Sequence, residues 1–178
     1  MAIIKVDINN VDSAVKKLGQ YNSKLESAIN DALVEINGKV QDKLLENMIL
    51  YGIDSLKVLS MTNVSIVGNK LSIVIGSDYA SFMEYGTGIV GQNSPHPNAA
   101  KVGWIYDVNG HGYSGWWYPT TEEALSRYPN SPKRVIGGQV YGFTRGQESK
   151  PFVYKTWLYA TRIIHPIINK HIRRIAID

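Results

Sequence analysis

The 178-residue chain contains no cysteine. That excludes disulfides, thiolate metal sites, iron–sulfur clusters and thiol nucleophiles. Nor does it contain an apolar run near the ~20 residues needed to cross a bilayer as a helix. The opening Met1-Ala2-Ile3-Ile4-Lys5 meets Asp7 before any long apolar stretch forms, so no secretory signal is expected and the protein is expected to be made in a cytoplasm. Histidine is sparse. His96, His111, His165 and His171 show none of the short metal-ligand spacings, so they read as surface or hydrogen-bonded residues and no metal or cofactor is expected. Charge of one sign is scarce as well: 19 Lys and Arg against 15 Asp and Glu give +4, mild for a dedicated nucleic-acid binder.

What is present has the balance of an ordinary globular protein, 44% hydrophobic and 19% charged, long enough to bury a core. The charge is unevenly placed. Residues 1–50 hold six Lys and seven acids, whereas residues 155–178 hold Lys155, Arg162, Lys170, Arg173 and Arg174 against Asp178 alone. That basic end reads either as a solvated helix face with cations near its C-terminus or as a contact for an acidic partner or nucleic-acid phosphate.

Periodicity assigns the elements. Ile4, Val6 and Ile8 alternate with polar residues as in a short strand or arm. From Val11 to about Asn47 apolar residues recur at three- and four-residue steps, which predicts a long amphipathic helix with a break near Gly19 and a weak point at Gly38. Val64 and Ile66, then Leu71, Ile73 and Ile75, flank Gly68-Asn69-Lys70 and predict a hairpin with one buried face. Asp78–Tyr85 reads as a short helix capped by Ser77 or Asp78 and stopped at Gly86-Thr87-Gly88. Pro151-Phe152 opens a last helical stripe through Ile175, with Pro166 expected to kink or divide it.

Residues 89–150 are rich in glycine and proline and carry Trp104, Tyr106, Tyr113, Trp116, Trp117, Tyr118, Tyr128, Tyr141 and Phe143. So many aromatics argue against a disordered linker. Ile105-Tyr106 and Trp116-Trp117-Tyr118 around Asn109-Gly110 predict a second hairpin, and Thr120-Thr121-Glu122-Glu123 predicts a capped helix to about Arg127. The aromatic set reads as a local mini-core or as a protein interface, with base stacking a lesser alternative. The expected organisation is a single α+β domain, 1–178. Its core spans 1–90 and 150–178, with a small, mainly antiparallel sheet against the N- and C-terminal helices and an insertion over about 91–149.

Motifs for catalysis are weak. Gly86-Thr87-Gly88-Ile89-Val90-Gly91 matches the dinucleotide fingerprint, but a helix is expected before it and Gln92-Asn93-Ser94-Pro95-His96-Pro97 is not expected to open one after it. Asp107, His111 and Glu122 or Glu123 could serve a small hydrolase if they converged, although nothing local fixes their geometry.

The ordered set resembles a known family. A long N-terminal helix and a hairpin precede Tyr79-Ala80-Ser81-Phe82-Met83-Glu84-Tyr85-Gly86-Thr87-Gly88, and Lys150-Pro151-Phe152 opens the last helix. This is similar to the tail-completion or head–tail joining proteins of tailed bacteriophages, which carry an A-x-x-x-E-Y/F-G-T motif and a Pro-Phe before the final helix. The matching residues are Ala80, Glu84, Tyr85, Gly86 and Thr87, followed by Gly88, and then Pro151 and Phe152. The aromatic stretch between them looks like the insertion of members from phages of Gram-positive hosts. The resemblance implies a structural protein of the virion neck, without catalysis or cofactor. It would form a ring, commonly of six copies, that touches neighbouring connector and tail-tube proteins and DNA in the channel but no membrane. On that view Trp104, Tyr106, Trp116, Trp117 and Tyr118 form the candidate docking loop, Tyr85 and Phe152 are core anchors, and Glu84 pairs with a basic residue of the same or a neighbouring copy. A basic nucleic-acid-binding module is the alternative.

Overall fold

A computed structural model describes residues 4–8, 23–53, 62–67 and 70–175. The chain divides into two compact units, Met1–Ser81 with Phe152–Asp178, and Phe82–Pro151. The second unit holds the stretch 91–149 and also takes in the Glu84–Gly88 segment.

In the first unit, β1 (Ile4–Ile8), β2 (Thr62–Val67) and β3 (Lys70–Ile75) form an antiparallel sheet with β3 in the centre. The register aligns Val6 with Ile73 and Ile73 with Val64. Leu71, Ile73 and Ile75 are buried while Lys70, Ser72 and Val74 between them are only partly so, as period-two alternation requires of a sheet with one covered face. The turn expected at Gly68-Asn69 lies outside the described residues.

Helix α1 (Ser23–Leu50) buries Leu25, Ala28, Ala32, Ile36, Val40, Leu44 and Met48 in one stripe, with Lys24, Glu26, Asp31, Lys39, Asp42 and Glu46 exposed. The expected start at Val11 and the break near Gly19 lie outside the described residues. The helix runs through Gly38 and ends three residues later than the periodicity suggested. Gly52 N–H donates to Ile49 O at 3.0 Å and Ile53 N–H to Met48 O at 2.9 Å, a Schellman closure that carries the buried Ile53.

Helix α6 (Phe152–Ile175) packs against α1 through Phe152, Val153, Thr156, Ala160, Ile164, Ile167 and Ile168. The buried Asn47 amide donates to Thr156 Oγ1 at 2.9 Å and to Phe152 O at 3.3 Å, so the interface carries a satisfied polar link. Pro166 does not divide α6, contrary to one of the two expected outcomes. It lies on the exposed face, and the buried Ile164, Ile167 and Ile168 on either side hold the helix together despite the missing N–H.

Helix α2 (Asp78–Tyr85) has Ser77 as its cap, with Ala80 N–H donating to Ser77 Oγ at 3.4 Å. In the second unit it is followed by α3 (Gly88–Asn93), α4 (Ala99–Val102), a 3₁₀ turn at Gly112–Ser114, β4 (Trp116–Thr120), α5 (Glu122–Ser126), β5 (Lys133–Ile136), β6 (Gln139–Thr144) and β7 (Gly146–Gln147). The expected hairpin of 105–106 with 116–118 does not form. β4 pairs instead with β6, and β5 covers the other side of β6. The Asp107 carboxylate takes the N–H groups of His111 (2.8 Å) and Gly112 (2.6 Å), which folds Asn109-Gly110 into a side-chain-capped loop. The tight turn is Gly137-Gly138, both at positive φ as a two-residue hairpin loop of this kind demands. The capped helix α5 forms, but Thr121 rather than Thr120 is its cap, accepting from Ala124 N–H at 3.1 Å.

Candidate functional site

The site grows from the residues after α2. No helix opens within residues 92–97, as expected; the six-residue α3 starts inside the motif at Gly88 and ends at Asn93, and the glycines serve another purpose. Thr87 and Gly88 bridge antiparallel to Gln147 and Gly146. At Gly88 and Gly146, both at positive φ, an added Cβ would strike the facing backbone of Arg145 and Thr87 respectively. Two chain segments sixty residues apart thus cross with no room for side chains. Space that a dinucleotide pyrophosphate would occupy next to a glycine-rich loop is filled here by the chain itself. Ser149 Oγ donates to Glu84 O and Lys150 N–H to Met83 O, both at 2.8 Å, which extends the crossing.

Beside it lies a buried polar pair. Glu84 and His96 are 2% and 3% exposed, and His96 Nε2 lies 2.9 Å from Glu84 Oε1. Asn98 N–H donates to His96 Nδ1 at 3.0 Å, so Nδ1 is the acceptor and the ring proton sits on Nε2, directed at the carboxylate. Glu84 therefore has an imidazole N–H partner in its own chain. Tyr106 O–H accepts His96 N–H at 3.1 Å, and Tyr106 O accepts Gly88 N–H at 2.7 Å. The half-buried Tyr85 ring stacks on Trp104 with centroids 4.8 Å apart and touches His96 at 4.4 Å. Burial, and then the charge of Glu84, pushes the Tyr85 phenol above its ordinary pKa. Trp104 Nε1–H donates to Gly86 O at 3.1 Å. Trp104 and Tyr106 are thus tied to the motif. In the first unit, Ala80 and Phe152 are fully buried, and Pro151 is half-buried at the end of the second.

The remaining docking candidates lie on β4. Trp116 packs against His111 at 5.1 Å, and Trp117 meets Phe143 edge-on at 5.3 Å with the Arg134 guanidinium 4.2 Å above its ring. The Tyr118 ring lies against Gly142, where an added Cβ would meet both it and buried Leu125. All three are half-buried. The strongly exposed apolar residues of this unit are others: Val102, Ile105, Val108, Tyr113, Tyr128, Val135 and Ile136. Val135 and Ile136 lie on the wholly exposed edge strand β5. A hydrophobic pair next to Gly137-Gly138 was the sequence signal for that exposed hairpin.

The proposed acid–base set does not assemble through hydrogen bonds. The N–H groups of Gly112 and His111 lower the Asp107 pKa from its ordinary value, while His111 Nδ1 lies 3.7 Å away. Glu122 pairs with Lys133 at 2.8 Å on the surface, and no hydrogen bond links Glu122 or Glu123 to Asp107 or His111 among the described residues. Among the described residues no group of three or more His, Asp or Glu is placed to hold a metal ion, and no helix is long and apolar enough to cross a membrane. No family model, curated protein or solved structure matches the chain.

Proposed function

We propose that this protein is a structural component of a tailed-phage neck, completing the tail or joining it to the head as one copy of a ring. The observation that carries the reading is that the Glu84–Gly88 part of the motif is built into a backbone crossing with the stretch that leads into Pro151-Phe152. Residues 83–88 and 146–150 are joined by the Met83–Lys150 and Glu84–Ser149 hydrogen bonds and by the Gly88–Gly146 crossing. A motif written into a backbone crossing serves architecture, since its glycines are needed for close approach and its Glu84 is consumed by His96. On this reading the protein has no catalytic role. Its partners are further copies of itself, six being the expected number, and the adjoining connector and tail-tube proteins. A ring of this kind uses one heterologous interface repeated until rotation closes it. The exposed edge strand β5 offers unpaired backbone groups suited to such a contact.

The test is electron microscopy of assembled particles carrying a tagged copy of the chain. Label in a ring at the head–tail joint is the expected result. Purified, infectious particles without label would overturn the assignment.

A further inference from the structure

The net charge of the whole chain, +4, equals the excess of basic over acidic residues in 155–178. Helix α6 contains no acidic residue at all. Two of its five cations are engaged: Lys170 pairs with Glu35 at 2.7 Å, and Lys155 lies 4.8 Å over the Tyr51 ring. Arg162, Arg173 and Arg174 are exposed and have no ion pair or hydrogen bond from their side chains among the described residues. Asp178 lies outside those residues. The helix dipole accounts for Arg173 and Arg174 in the last turn, but its effect fades within one turn and does not explain Arg162. At 100° per residue, Arg162, Pro166, Asn169 and Arg173 share one face, with exposed His165 alongside, whereas Arg174 points about 100° away from Arg173 and off that face. Arg162 and Arg173 stand three turns apart, about 16 Å along the axis.

We propose that this face of α6 binds the phosphate backbone of duplex nucleic acid. A rigidly spaced pair of guanidiniums, Arg162 and Arg173, on a helix without a single carboxylate complements a polyanion with regularly spaced charges. No Trp, Tyr or Phe stands among the exposed residues of 162–174, so the face offers charge contacts rather than a platform for unstacked bases. The proposal stands on these residues and is independent of the neck assignment.

The experiment is fluorescence anisotropy of a labelled 30-base-pair duplex with the full chain over a range of salt concentrations. The wild-type chain should bind in the micromolar range at about 50 mM salt and weaken steeply as salt rises. Replacing both arginines of the face (Arg162→Gln, Arg173→Gln) should weaken binding at least about tenfold at low salt and flatten the log–log salt slope by roughly 1.8, about 0.9 per lost phosphate contact. The corresponding double lysine variant should keep the slope, because it keeps the charge. Lys133→Gln, a charge removed from the second unit, should leave the slope unchanged. Both arginines are exposed, so the variants should melt like the wild type; if the double glutamine variant does not, Arg162→Gln alone should still lower the slope by about one. Three results would overturn the proposal: no binding below about 100 μM at low salt, an unchanged slope in the glutamine variants, or equal displacement by polyglutamate at the same charge concentration. The last would assign the face to an acidic protein.

Discussion

Glu84 is the residue whose position says most about the chain. A carboxylate 2% exposed needs donors, and His96 supplies one through Nε2–H because Asn98 has already claimed Nδ1. His96→Ala would leave the buried carboxylate short of that donor. The expected cost is about 3 kcal/mol, read as a lower urea midpoint for the second unit. His96→Gln keeps an N–H within reach and should recover part of it. None of this could be inferred locally. Glu84 and His96 are twelve residues apart with helix α3 between them, and a buried pair has no sequence spacing of its own. The motif that singled out Glu84 also contained the glycines of the crossing, but the segment they cross, Arg145–Ser149, carries no signal beyond Gly146.

At the scale of elements, α1 and α6 are held by their apolar stripes, by the Asn47–Thr156 link and by a charged cluster. Glu35 on α1 receives Lys170 at 2.7 Å and His171 at 2.8 Å from α6. The Lys170 hydrogen bond, followed by that of His171, lowers the Glu35 pKa from its ordinary 4.5 to about 2. A carboxylate depressed on folding stabilises the folded chain above its unfolded pKa, and that contribution disappears as pH falls through the folded value. The helix pair should therefore lose stability between about pH 4.5 and 2, and Glu35→Gln should flatten that part of the profile. Thermal melts at closely spaced acidic pH check it, and an unchanged slope in the variant would count against the cluster. Both helices were legible because a 3.6-residue stripe is a local property. The end of α1 was misplaced by three residues because Tyr51-Gly52-Ile53 marks it through backbone hydrogen bonds that periodicity does not see. Of the two outcomes expected of Pro166, division of α6 does not occur, because the packing of Ile164, Ile167 and Ile168 keeps it a single helix.

At the scale of the molecule, the second unit has its own sheet, its own aromatic packing, and ends tied together by Lys150 N–H to Met83 O at 2.8 Å. A segment whose termini meet can be excised as a unit. Residues 82–151 expressed alone should fold, with a near-ultraviolet circular-dichroism signal from Trp104, Trp116 and Trp117 that disappears in one cooperative transition. A featureless spectrum would show that this unit needs the rest of the chain. The α+β class, the helix stripes, the β2–β3 pairing and the capping of α2 could all be read from the chain alone, because each rests on residues within a few positions of one another. The pairing of β4 with β6, the burial of Glu84 against His96 and the Gly88–Gly146 crossing were decided only on folding. Each brings together residues that are not local neighbours, and nothing in a local pattern says which distant segment will repay the entropy of closing the loop.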